Sequence, residues 1–197
     1  MKALRTEMEE LHQLLCNAED MVFVDESGAN ITYLRTRGRA KAGERVRDRR
    51  PVNRGKNQTI VAALTMNGIQ AHRIMDGAMT AERFNDWVIS ELVPSLRPDQ
   101  VVVLDNLRAH HSRVALEAII RAGCYYLHLP PYSPDFNPIE QAWSKMKTLL
   151  RGMALRAVGP LRTGIVSALN SISAENAMAW IRHCGWKFRA QVMGSPL

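Results

Sequence analysis

Short, nearly continuous apolar runs alternate along the chain with segments whose apolar residues recur at helical spacing. MVFV at 21–24, TIVAALTM at 59–66 and VVVL at 101–104 have the pattern of strands covered on one or both faces. After a turn at Ser27-Gly28-Ala29-Asn30, ITYLR is expected to pair back on the first strand as a hairpin. Asn67-Gly68 signals a second hairpin, returning a short strand near QAHRIM onto residues 59–66. YYLHL supplies a last strand, stopped by Pro130-Pro131. Helices are predicted over 3–16 (Leu4, Met8, Leu11 and Leu15 on one face) and from Thr80 to near Pro94, with Phe84, Trp87, Val88 and Leu92 inward. Others follow over 112–122, ended by Gly123, and over 138–151, where Ile139, Trp143, Met146 and Leu150 form the buried stripe; one or two more span 160–183, and WKFRAQVMGSPL reads as a loose tail. This order predicts an α/β fold, a mixed sheet of about five strands flanked by helices. A lead-in helix or linker at 1–19, a main body at 20–155, and C-terminal helices and tail at 156–197 packed on the same body complete the expected organisation.

Composition places the chain among globular proteins, with 46% hydrophobic and 23% charged residues over a length of 197, enough for one substantial core. No apolar run approaches the roughly 20 residues of a membrane span, and acids near the N-terminus are unlike a secretory signal, so a cytoplasmic protein is expected. Cys16, Cys124 and Cys184 match no zinc spacing and are read as reduced thiols. Charge is unevenly placed. Arg37, Arg39, Lys41, Arg45, Arg47, Arg49, Arg50, Arg54 and Lys56 crowd a stretch with only Glu44 and Asp48 against them, which accounts for the whole net charge of +7. With Gly38, Gly43, Pro51 and Gly55 and neither structural period, the stretch reads as a long loop that neutralises a polyanion, with DNA phosphates as the expected partner.

Three acids stand where this pattern brings chain ends together. Asp25 closes the first strand with Glu26 beside it, Asp105 closes VVVL, and Glu140 lies in the first turn of a helix behind the proline-locked PPYSPDFNP. Each has a simpler reading alone: Asp25 as a turn residue, Asp105 as a cap, and Glu140 in a capping box with Asn137. Together they point to a divalent-cation site, because converging carboxylates repel unless a cation joins them. Oxygen donors favour Mg²⁺, with Mn²⁺ as substitute, over zinc, and His110-His111 lacks a second nitrogen-rich partner. Two such ions about 4 Å apart suit phosphodiester chemistry. Trp143 is read as helical core.

The segments VVVLDNLRAHHS and LHLPPYSPDFNPIEQAWSKMK, with VFVDES and GRAKAGERV upstream, resemble the insertion-sequence transposases of the mariner-related superfamily over about residues 20–151. The 34 residues between Asp105 and Glu140 match the spacing common in that superfamily. The resemblance implies a ribonuclease-H-like fold and an Asp-Asp-Glu site in which Asp25, Asp105 and Glu140 hold two metal ions. It implies hydrolysis of DNA at element ends followed by attack of the freed 3′ hydroxyl on target DNA, without a covalent intermediate. Asn106, His110 and Glu26 would support the acids, and Tyr132 and Ser133 would shape the loop before Glu140. A homodimer on DNA and insertion at TA are further family expectations. The chain departs from the family in showing no upstream helix-turn-helix region, so a frameshift-joined partner or a truncated copy is expected, and a non-catalytic DNA-binding remnant or regulator is the alternative.

Overall fold

A computed structural model describes residues 17–188 apart from Thr36, Asp48 and Arg50. The helix expected over 3–16, Cys16, and residues 189–197 of the tail lie outside the described residues. One sheet joins β1 (Met21–Ala29), β2 (Gln58–Thr65), β3 (Gly68–Asp76), β4 (Val101–Leu104) and β5 (Tyr125–His128) in the order β3-β2-β1-β4-β5. β1 pairs antiparallel with β2, and β2 with β3, whereas β1–β4 and β4–β5 are parallel. The mixed five-stranded sheet flanked by helices is the predicted one.

Alternation of side chains along β1 divides the interior into two cores. Met21, Phe23 and Ala29 face one, with Ile60, Ala62, Leu64 and Val103; it is covered by α3 (Ile139–Met153), α4 (Val158–Asn170) and α5 (Ala174–His183). Val22 and Val24 face the other, with Val61, Ala63, Val102 and Leu104, under α1 (Ala81–Trp87) and α2 (Arg113–Arg121). Ile139, Trp143, Met146 and Leu150 are all buried, as their spacing requires. Thr80 caps α1, its side chain accepting from Arg83 N–H, and the helix runs on through a π-helical turn at Val88–Leu92 to Ser95. Pro94 has no N–H to donate, so the regular ladder is one bond short just there.

Two expectations fail. ITYLR is not a strand: β1 continues through Ser27-Gly28 to Ala29, and its partner is β2, in register from Phe23–Leu64 to Ala29–Gln58. The turn falls at Asn30 instead, whose Oδ1 accepts from the Thr32 N–H and hydroxyl at 3.0 and 2.6 Å. β2, buried at all eight positions, covers β1 better than a strand with Thr32 and Arg35 on it could. The second failure is the loose tail. Trp186 is buried in the first core, edge-on to Phe23 with ring centroids 5.1 Å apart, and its Nε1–H donates to Phe136 O at 2.9 Å.

The Asn67-Gly68 hairpin forms as expected. Gly68 has φ +107, and a Cβ there would lie 2.7 Å from Ile172 O, so both the turn and the close approach exclude a side chain.

Trp186→Ala should lower the unfolding free energy by about 3–5 kcal/mol, the usual cost of emptying a buried Trp position. A urea titration checks this; a shift in midpoint worth under about 1 kcal/mol would show that residues beyond α5 add little to the body.

Candidate active site

Parallel register puts the first two acids side by side. The last paired residues of β1 and β4 are Val24 and Leu104, so Asp25 and Asp105 each stand one position further on, on the sheet face that α3 covers. Glu140 enters from α3 itself, in its first turn. Asp25, Asp105 and Glu140 line one open cleft of about 480 Å³ with Asn106, Leu107, the loop from Leu129 to Pro134, and Asn137. Among the described residues no three His, Cys, Asp or Glu side chains are arranged so that they could already hold a metal ion.

The two aspartates differ in environment. Asp25 is 8% exposed, and burial, against the help of hydrogen bonds from Trp143 and the Glu26 N–H, pushes its carboxyl up to about 7, with the Glu140 and Glu26 charges adding to the rise. Asp105 is more open. Burial works against its charged form too, but the bonds from His110 and the Leu107 N–H, the latter 2.9 Å to Oδ1, leave it below the usual carboxylate range.

His110 is wholly buried between two acids, with Nδ1 2.5 Å from Asp105 Oδ1 and Nε2 2.9 Å from Glu26 Oε2. The Glu26 approach is a charge pairing whose angle falls outside hydrogen-bond geometry, so Glu26 Oε2 and His110 Nε2 have no hydrogen-bond partner in the strict sense. Burial disfavours the imidazolium, but Asp105 and Glu26 outweigh it and hold His110 up to about 9. Glu26 points to the opposite sheet face from Asp25, as alternation along β1 dictates, so His110 ties both faces to Asp105. The Phe84 ring, 4.5 Å from the imidazole between centroids, closes the pocket. Asn106 donates through Nδ2 to Leu129 O, joining the ends of β4 and β5 beside the cleft.

The approach to Glu140 is rigid. Tyr132 has a left-handed backbone (φ +56) and a 95% exposed side chain at the cleft, while Ser133 is buried. Trp186 holds the 3₁₀ turn Pro134–Phe136 through Phe136 O. The capping reading of Glu140 is not realised: α3 has no side-chain cap, and Asn137 Oδ1 is buried without a hydrogen-bond partner. That orphaned oxygen belongs to a residue lining the same cleft as the three acids.

Trp143 corrects the reading of that residue as core alone. It packs in the stripe, and its Nε1–H also donates to Asp25 Oδ2 at 2.9 Å. A buried indole N–H usually finds an acceptor, which is the signal sequence reasoning passed over.

The basic segment leaves the C-terminal end of β1, which by parallel pairing is the end of the sheet at which Asp105 follows β4, and returns through β2. Between Asn30 and Asn57 the described residues form neither helix nor strand. Arg37, Arg39, Lys41, Arg45, Arg47, Arg49, Arg54 and Lys56 are exposed, and Arg50 lies outside the described residues. The loop is anchored at its base: Arg156 donates to Tyr33 O and Arg49 O at 2.7 and 3.0 Å, and Arg35 to Gly152 O at 3.0 Å.

A mixed sheet in this order, flanked by helices, is a ribonuclease-H-like fold, here with three acids facing one cleft. The chain belongs to the DDE superfamily endonuclease family, which it matches over residues 20–158. Among solved structures it is similar to a Mos1 transposase paired-end complex with left transposon end, at 16% identity and TM-score 0.73 over 93% of this chain and 56% of that one. A pre-cleavage Mos1 transpososome gives 14% identity and TM-score 0.75, over 93% of this chain and 57% of that one. The Mos1 transposase catalytic domain with raltegravir and Mg gives 15% and 0.69, over 96% and 94%. The chain thus spans little more than half the length of the transposase chains in the first two. Comparison with curated protein sequences finds no match. No described helix is long and apolar enough to cross a membrane.

The Asp25 carboxyl keeps its proton to about pH 7 when folded, against 3.8 for the ordinary group. Between those values folding takes up a proton, so this residue's contribution to stability falls as pH rises. In metal-free buffer Asp25→Asn should gain on the wild type progressively from pH 4 to 7, by on the order of a few kcal/mol at the upper end. Denaturant melts across that range test it, and a difference that does not vary with pH would refute the assignment.

Proposed function

We propose that this chain is the catalytic domain of a DNA transposase, in which Asp25, Asp105 and Glu140 hold two divalent cations, Mg²⁺ with Mn²⁺ as substitute. The observation that carries this reading is the convergence of the three acids, from two neighbouring strand ends and one helix start, on a single cleft. The donor set fits such ions: carboxylates, with the unpartnered Asn137 Oδ1 among them, and no cysteine. Bound there, the cations supply activation of an attacking oxygen and charge relief at a leaving oxygen. Mos1 structures carrying Mg and Mn support the choice of metal by analogy of fold.

The chain's own residues do the rest. Asp105 is kept ionised and oriented by His110 and the Leu107 N–H, and Glu26 balances the His110 charge on the far face. Asn106 holds the two loops flanking the cleft. Arg37, Arg39, Lys41, Arg45, Arg47, Arg49, Arg50, Arg54 and Lys56 neutralise DNA phosphates and place the duplex without reading sequence. Water then hydrolyses the phosphodiester at an element end, and the freed 3′ hydroxyl attacks target DNA. Two copies would meet on DNA, and an upstream helix-turn-helix region would read the terminal repeats. The protein would work in the cytoplasm, on nucleoid DNA. Residues 20–155 would form the catalytic body, with 156–188 packed on it; the lead-in at 1–16 and the tail at 189–197 lie outside the described residues.

Supercoiled-plasmid cleavage with Mg²⁺ or Mn²⁺ tests the reading, using the chain alone and joined to an upstream DNA-binding region. Asp105→Asn and Glu140→Gln should each reduce cleavage by at least about 10²–10³-fold, with DNA affinity largely kept. Cleavage retained by either variant would remove that residue from the site, and DNA binding without cleavage in every form would favour a regulator or remnant. Replacing Arg45 and Arg47 by Ala should lower the slope of log affinity against log salt by about 0.9 for each phosphate no longer neutralised. An unchanged slope would take those two arginines out of the DNA interface.

A further inference from the structure

Glu140 and Trp143 are three residues apart on α3 and so share a helix face. One turn of helix therefore carries an acid of the cleft and, from Trp143 Nε1–H, the donor to Asp25 Oδ2 at 2.9 Å, joining positions 118 residues apart in sequence. Trp143 is 1% exposed, which leaves its ring no room to turn away. The terminal torsion of an aspartate is soft and roughly two-fold, so each fixed donor narrows the swing of its oxygens, and Trp143 adds a side-chain donor to the Glu26 N–H at Asp25. Apolar packing does not require the N–H: the stripe of Ile139, Met146 and Leu150 would accept an apolar ring in place of the indole.

We infer that Trp143 is a positioning residue of the acid cleft: its indole N–H sets the plane of the Asp25 carboxylate and ties the α3 turn bearing Glu140 to β1. Glu140-Gln141-Ala142-Trp143 then acts as one unit, delivering a donor oxygen and the brace for a second. This rests on the metal-site reading above and adds to it a residue outside the acid triad. Partners of this kind, which orient a metal ligand without touching the metal, typically govern affinity by 10–100-fold. Because Oδ2 keeps a second lone pair, the bond orients the carboxylate without withdrawing it from a cation.

The test is Mn²⁺ binding by the full chain, followed by electron paramagnetic resonance of the free ion. Trp143 is replaced by β-(3-benzothienyl)alanine, which keeps the bicyclic shape and substitutes sulfur for the N–H, and in parallel by Trp143→Phe. Both should raise the Kd for Mn²⁺ by roughly 10–100-fold, with the benzothienyl form melting within a few degrees of the wild type. In the unmodified chain, saturating Mg²⁺ should move the Trp143 indole ¹H–¹⁵N resonance, because a carboxylate shared with a cation is a weaker acceptor. Wild-type Mn²⁺ affinity in the benzothienyl form, or an indole resonance unmoved by Mg²⁺, would overturn the inference while leaving the metal site standing. Mn²⁺ binding that Asp25→Asn does not weaken would remove the metal site itself and Trp143's role with it. If neither variant folds, the resonance in the unmodified chain decides.

Discussion

Parallel pairing of β1 with β4 is the constraint on which the site depends. Its register ends at Val24 and Leu104, and the next residue on each strand is an aspartate, so Asp25 and Asp105 are neighbours by the geometry of the ladder. A slip of one residue would turn either acid onto the other face, away from α3 and into the core of Val22 and Val24. Fully buried partners hold the register: Phe23 and Val103 against the α3 side, Val22, Val102 and Leu104 against α1 and α2.

Around that pair the molecule places donors where negative charge must stay. Asp105 receives His110 and a backbone N–H, and Asp25 receives an indole N–H. The outcomes differ because burial differs. Asp25, sunk beneath α3, is held protonated to near neutrality without a cation, whereas Asp105 at the rim is kept ionised by its partners. The cleft thus holds two carboxyls of different character, one pushed up by burial and one held down by its donors. The glutamate then comes from a separate helix, through a loop stiffened by Pro130, Pro131 and Pro134 and pinned by Trp186.

The basic loop is the other half of the arrangement. Its described cations from Arg37 to Lys56 are exposed, and Arg35 and Arg156 use their side chains on main-chain carbonyls at its base. Neither belongs to the charge-dense stretch that stands out in the sequence. The division is physical: arginines outside the run anchor the loop, and the described ones within it face solvent.

Local pattern was enough to set the strands from apolar runs, the Asn67-Gly68 hairpin, the start of α1 after Thr80 and the buried stripe of α3, because each depends on residues near in sequence. The acids were legible as candidates for the same reason, standing at strand ends and at a helix start behind prolines. Tertiary structure decided the rest. Pairing of β1 with β2 across 28 intervening residues, in place of ITYLR, turned on long-range burial that short-range propensity does not measure. Burial of Trp186, the unmade cap at Asn137, the bond from Trp143 to Asp25 and the charge pairing of His110 with Glu26 likewise arise only once distant segments pack. Sequence carries hydrophobic period and turn chemistry directly, but which acceptor a buried N–H meets is a property of the packed interior alone.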